Sequence, residues 1–174
     1  MDRRRAGTAL LALAAGFSIR AATGAGPTAS PPAASILPQP GPRDLCPVCG
    51  MLVAKYPAWV AIARYRDGHA HFFDGAKDLF KYLFDLPRYA PGHRREDLAG
   101  VWVTEFYGLT RIDARQAWYV IGSDVLGPMG HEFVPFASRA EAEEFMRDHK
   151  GKRTLAFVDI TAEWAEKLDR ARFE

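Results

Sequence analysis

From residue 59 onward, apolar and polar positions fall into short blocks whose period switches between two and about 3.6. WVAIARY (59–65) is dense in strand-forming side chains. Arg66-Asp67-Gly68 has tight-turn composition, and HAHFFD (69–74) reads as the returning strand of a hairpin. Ala76, Leu79, Phe80, Leu83 and Phe84 then recur at helical spacing, which predicts a helix with Asp74 as N-cap and Pro87 as its stop. A polar stretch follows, in which His93 reads as solvated. VWVTEFY (101–107) is the next strand.

The second half repeats this grammar. AWYVIG (117–122) and HEFVPF (131–136) read as strands around the loop SDVLGPMG. Ser138 and Glu141 form a capping box for a helix that turns Ala142, Phe145 and Met146 inward and ends near Gly151. TLAFVDI (154–160) is a strand. A last helix from Thr161 carries Trp164, Leu168 and Ala171 on one face. The fold class expected is α+β: two similar ββαβ halves, 44–108 and 109–174, with mainly antiparallel strands and a C-terminal helix.

The chain before residue 44 has a different character. Arg3, Arg4 and Arg5 precede an apolar run of about a dozen residues and then small residues, the layout of an export signal over 1–25. Residues 26–43 are proline-rich and nearly uncharged, as a tether would be. Export places the body in the periplasm, with membrane association through the N-terminal segment as the alternative to cleavage. No cysteine follows the apolar run closely, so lipoprotein anchoring is not expected.

Charge changes the picture little. The 174-residue chain has formal net charge +2. Four arginines against Asp2 put +3 of this in the first 42 residues, leaving about −1 for the rest. A near-neutral body offers no electrostatic footprint for nucleic acid. No phosphate-binding glycine loop and no serine nucleophile motif is present.

The chemistry concentrates in CPVCGM (46–51), which holds the only two cysteines of the chain. A structural zinc needs four ligands; with no second cysteine pair, only His69 and His71 remain to join Cys46 and Cys49. A thiol–disulfide pair is the second reading, but it is usually activated by a helix N-terminus, and Pro57 argues against a helix there. The third reading uses Met51, which faces the same way as Cys49 in an extended segment. Thiolate and thioether are the soft donors that select Cu(I). Met129, in Leu126-Gly127-Pro128-Met129-Gly130, sits where glycine and proline would leave its side chain exposed, and His131 follows it. A metal held by Cys49, Met51 and Met129 would lie between the halves, with His131 and Cys46 as additional candidate ligands.

CPVCGM after an export signal, FFD leading into a helix at 72–84, and GPMG before a strand at 127–134 together resemble the NosL family over roughly residues 44–165. The resemblance implies two ββαβ halves. It further implies a Cu(I)-binding accessory protein outside the cytoplasm, receiving copper from donor proteins and serving nitrous oxide reductase or its maturation machinery. The family's metal-site cysteine and methionine match Cys49 and Met51, and its GPMG methionine matches Met129.

Overall fold

The computed structural model describes residues 37–174. The expected export signal and residues 26–36 of the tether lie outside the described residues. None of the described helices is long and apolar enough to cross a membrane.

The first hairpin joins β1 (Ala61–Tyr65) to β2 (Ala70–Phe73) in antiparallel register, Ala61 opposite Phe73. Helix α1 (Ala76–Phe84) follows and buries four of the positions its periodicity marks, Ala76, Leu79, Phe80 and Leu83, whereas Phe84 at its end is exposed. Pro87 does not simply end it. It occupies the first turn of a separate short helix, α2 (Leu86–Tyr89), where a missing N–H costs nothing.

Strand β3 (Leu98–Thr104) pairs with the other edge of β1 and lies earlier than the expected 101–107. The reason is Glu105. Its carboxylate accepts the N–H groups of Tyr107 (2.7 Å) and Gly108 (2.5 Å), which folds 105–108 into a turn. A short strand not expected from the sequence, β4 (Arg111–Asp113), completes a four-stranded antiparallel sheet in the order β2-β1-β3-β4. Three residues are too few for a period to register.

Strands β5 (Trp118–Ile121), β6 (Val134–Phe136) and β7 (Arg153–Ala156) form a second antiparallel sheet in the order β6-β5-β7, with α3 (Arg139–Asp148) between β6 and β7. The Ser138–Glu141 capping box is present in both directions. The expected strand 154–160 turns into a 3₁₀ turn after Ala156, where the Asp159 carboxylate accepts the Ala156 N–H. Helix α4 (Ala162–Asp169) buries Ala165 and Leu168.

One core joins the two sheets. Phe80 of α1 meets Tyr119, Phe133 and Phe157 with ring centroids 5.1–5.3 Å apart, so α1 packs against residues of the second sheet's half of the chain. A smaller cluster of Val120, Val134, Phe136, Ala142 and Phe145 lies under α3.

Candidate metal centre

The loop bearing CPVCGM is a tight knuckle. The Gly50 N–H donates to the Cys46 carbonyl at 2.9 Å, and the Cys46 N–H donates to the Met51 carbonyl at 2.9 Å. Gly50 takes φ +79°, a conformation that costs glycine little. The knuckle turns both thiols toward the start of α1. The Cys49 thiol donates to Asp74 Oδ1 (3.1 Å) and the Cys46 thiol to Asp78 Oδ2 (3.3 Å). One ligand atom from each of these four residues lies within 4.8 Å of the others.

Asp74 was expected to cap α1 but does not. Gly75 is the N-cap residue and provides no side-chain bond. Asp74 turns to the cysteines instead, and its Oδ2 is buried without a hydrogen-bond partner among the described residues. A buried carboxylate oxygen without a partner beside two thiols is a donor that a cation could take.

The cap comes from far along the chain. Glu132, fully buried, accepts the Lys77 N–H at 2.5 Å and the Phe133 N–H at 2.9 Å through Oε1. Because Glu132 points inward, the expected strand 131–136 begins only at Val134. The contact also ties the loop carrying Met129 to α1. That loop closes with reciprocal Gly127–Gly130 backbone bonds of 2.8 and 3.1 Å, and the buried Lys77 ammonium donates to the Met129 carbonyl at 3.0 Å. Lys77 also pairs with Asp169 of α4 at 3.1 Å.

These ties bring Cys49 and Met129 to one open cleft of about 500 Å³, lined also by Val48, Asp78, Phe84 and Asp169. Met129 is 47% exposed at its turn, as glycine and proline around it imply. Cys46 is 2% exposed and lies beneath the knuckle. Met51 is half-buried and is not among the cleft-lining residues, although its backbone N–H lies against the Cys49 sulfur. His131 does not line the cleft; its ring packs edge-on to Phe173 at 4.8 Å. His69 and His71 do not join the cysteines, so the four-ligand set Cys46, Cys49, His69, His71 is not assembled. The sequence reading missed Asp74, Asp78, Glu132 and Lys77 as parts of the site. The spacing of Asp74 and Asp78, one helical turn apart, was the available clue to the carboxylates.

The electrostatics favour protonated thiols. Burial pushes the Cys46 thiol up to about 12, and the Asp78 and Asp74 charges add to this. Burial and hydrogen bonds to Asp78 and Asp74 push Cys49 well above its ordinary value. The N–H groups of Val48 and Cys49 at the Cys46 sulfur, and of Met51 at the Cys49 sulfur, pull the other way. Both thiols are thus held protonated, while the backbone donors beside them would favour thiolates if a cation took the place of those protons.

The chain matches the family model NosL over residues 39–165. It is similar to the copper-binding lipoprotein NosL of Stutzerimonas stutzeri, 31% identical over 123 residues, which cover 67% of this chain and 62% of that protein's length. The fold resembles the crystal structure of the copper chaperone NosL from Shewanella denitrificans, with TM-score 0.60 and 26% identity over 73% of this chain and 96% of the other. With a family match spanning most of the chain and a similar solved fold, the chain belongs to the NosL family.

Proposed function

We propose that this chain is a periplasmic Cu(I) chaperone, not an enzyme, which takes copper from a donor protein and delivers it for nitrous oxide reductase maturation. Cys49 and Met129 are the principal donors, and Met51, Cys46 and His131, none of which lines the cleft, are accessory candidates. The observation that carries this reading is that Cys49 and Met129, 80 positions apart, line one open cleft. A soft thiolate and a soft thioether suit Cu(I) better than harder ions, and relatives named as a copper-binding lipoprotein and a copper chaperone support the cargo.

The cleft also suits transfer. Met129 reaches solvent while Cys49 is half-buried. An incoming acceptor thiol or thioether can displace the exposed Met129 first and Cys49 second, so copper passes without being released free. As the thiolate leaves the metal it takes a proton from solvent and regains the hydrogen bond that the Cys49 thiol donates to Asp74 Oδ1. Thiol–disulfide exchange fits less well, because it requires a thiolate and both thiols are held protonated. A zinc ion on Cys46, Cys49, Asp74 and Asp78 is the second reading, favoured by the convergence of those four donors. Zinc measured in the protein as isolated separates the two.

The functional test is genetic. In a cell that makes nitrous oxide reductase but lacks this chain, the reductase should be copper-poor and inactive, and the wild-type chain should restore both copper and activity. Cys49→Ser should fail to do so. Full restoration by Cys49→Ser would refute delivery through this site.

A further inference from the structure

Three histidines that the sulfur site does not use converge at the open edge of the first sheet. His69 and His71, two positions apart beside edge strand β2, share one face, and their Nε2 atoms stand 3.1 Å apart. His93, expected to be solvated, folds back instead. Its ring lies 4.2 Å from that of Tyr65, 5.6 Å from His69 and 6.2 Å from His71, centroid to centroid. None of the three lines the Cys49–Met129 cleft.

We infer that His69, His71 and His93 form a second metal site, for a divalent transition ion of Cu(II) or Zn(II) type. Two imidazole nitrogens, each about 2.0–2.1 Å from one ion, lie roughly 2.9 Å apart at a right angle and roughly 3.3 Å apart at the tetrahedral angle. The 3.1 Å separation of His69 and His71 falls between these values. Imidazole rings that share an ion stand with centroids roughly 5 Å apart by the same geometry, close to the 4.6 Å found for His69 and His71.

His93 stacks on His69 with 24° between the rings, so a rotation of its side chain is what brings its nitrogen to the pair. It sits between exposed Gly92 and Arg94, on a loop outside the sheet. Tyr65 and Tyr82, their hydroxyls 2.5 Å apart, wall the inner side of His71. Nitrogen donors suit a borderline divalent ion, in contrast to the soft sulfur cleft.

The Cu(II) arm of the test uses the full chain carrying Cys46→Ser and Cys49→Ser, which removes the thiols that would reduce Cu(II). One equivalent of Cu(II) should give an electron paramagnetic resonance spectrum with nitrogen splitting from two or three imidazoles. His69→Ala with His71→Ala should abolish that splitting. The Zn(II) arm keeps the thiols intact: a chelator competition titration should lose one bound zinc, with at least about 100-fold weaker residual binding at that site, in the same double histidine variant. His93→Ala should weaken binding by less. A Cu(II) spectrum without nitrogen splitting, equal zinc stoichiometry with and without the histidines, or binding so weak that it reflects an adventitious ion only would each overturn the inference. The Cu(I) affinity of the histidine variant should stay at the wild-type value, which keeps this site's failure distinct from failure of the sulfur site.

Discussion

Replacing Cys49 by serine should weaken Cu(I) binding by about 10³-fold or more, in a competition titration against a chromophoric Cu(I) chelator. Loss of an outer partner of a metal ligand costs about 10–100-fold, and Cys49 is the proposed anionic ligand itself. Met129→Ala removes a neutral, exposed thioether and should cost less, about 10–100-fold, on the same scale. The two effects should fall short of additive, because the donors share one ion. The pH dependence should be steep. Cys49 is protonated across the neutral range in the free protein, since burial and the two aspartates raise it. Each thiol proton displaced by copper makes the apparent affinity rise about tenfold per pH unit between pH 6 and 8. A tenfold slope would assign one cysteine, and a hundredfold slope would add Cys46. A flat profile would exclude both thiols as ligands.

The second large effect concerns the strap that holds the two arms of the site together. Gly75→Ala should destabilise the protein by about 3 kcal/mol, at the upper end of what overpacking costs. A Cβ there would stand 2.0 Å from Glu132 Oε2, and moving that carboxylate aside would break its bonds to the Lys77 and Phe133 N–H groups. Glu132→Ala should cost about as much by a different route. It leaves the Lys77 and Phe133 N–H groups buried without their acceptor. Either change should also loosen the Met129 loop and lower Cu(I) affinity without touching a donor. Urea denaturation reads the first effect and the chelator titration the second.

Glu132 also makes stability depend on pH. Burial pushes its carboxyl from an ordinary 4.5 up to about 8, against the pull of Lys77 and the two backbone donors. The folded chain therefore keeps a proton that the unfolded chain gives up. Its contribution is full below about 4.5, falls as pH rises, and is gone above about 8, with a slope of at most about 1.4 kcal/mol per pH unit. Glu132→Gln preserves the acceptor oxygen and removes the titration. That variant should stay close to wild type at pH 5 and show a flatter profile from pH 5 to 8.

Much of this fold was legible in the chain because its elements carry strong periods. The β1–β2 hairpin, helix α1 and the α3 capping box lie where alternation, 3.6-residue spacing and Ser138–Glu141 place them. Local chemistry that depends on distant partners was not legible. Asp74 precedes a helix and has the composition of a cap, yet a cysteine 25 positions earlier takes its carboxylate and Glu132 does the capping. The short β4 and the turn at Glu105 were hidden because three residues carry no period and Glu105 resembles a strand end. The candidate donors Cys49 and Met129 were visible as residue types in turns, but their shared cleft depends on how α1 packs against the second half. The carboxylates that hold the thiols protonated could be read only once the knuckle and the helix were placed in contact.

The central claim is that Cu(I) sits on sulfur in the cleft between the knuckle and the Met129 turn. X-ray absorption at the copper edge, on the Cu(I)-loaded full chain, tests it most directly. The account predicts a Cu(I) edge and a first shell dominated by sulfur, with one sulfur lost in Met129→Ala and the sulfur shell collapsing in Cys49→Ser. A first shell made of nitrogen and oxygen alone, or a sulfur shell unchanged by both substitutions, would contradict it.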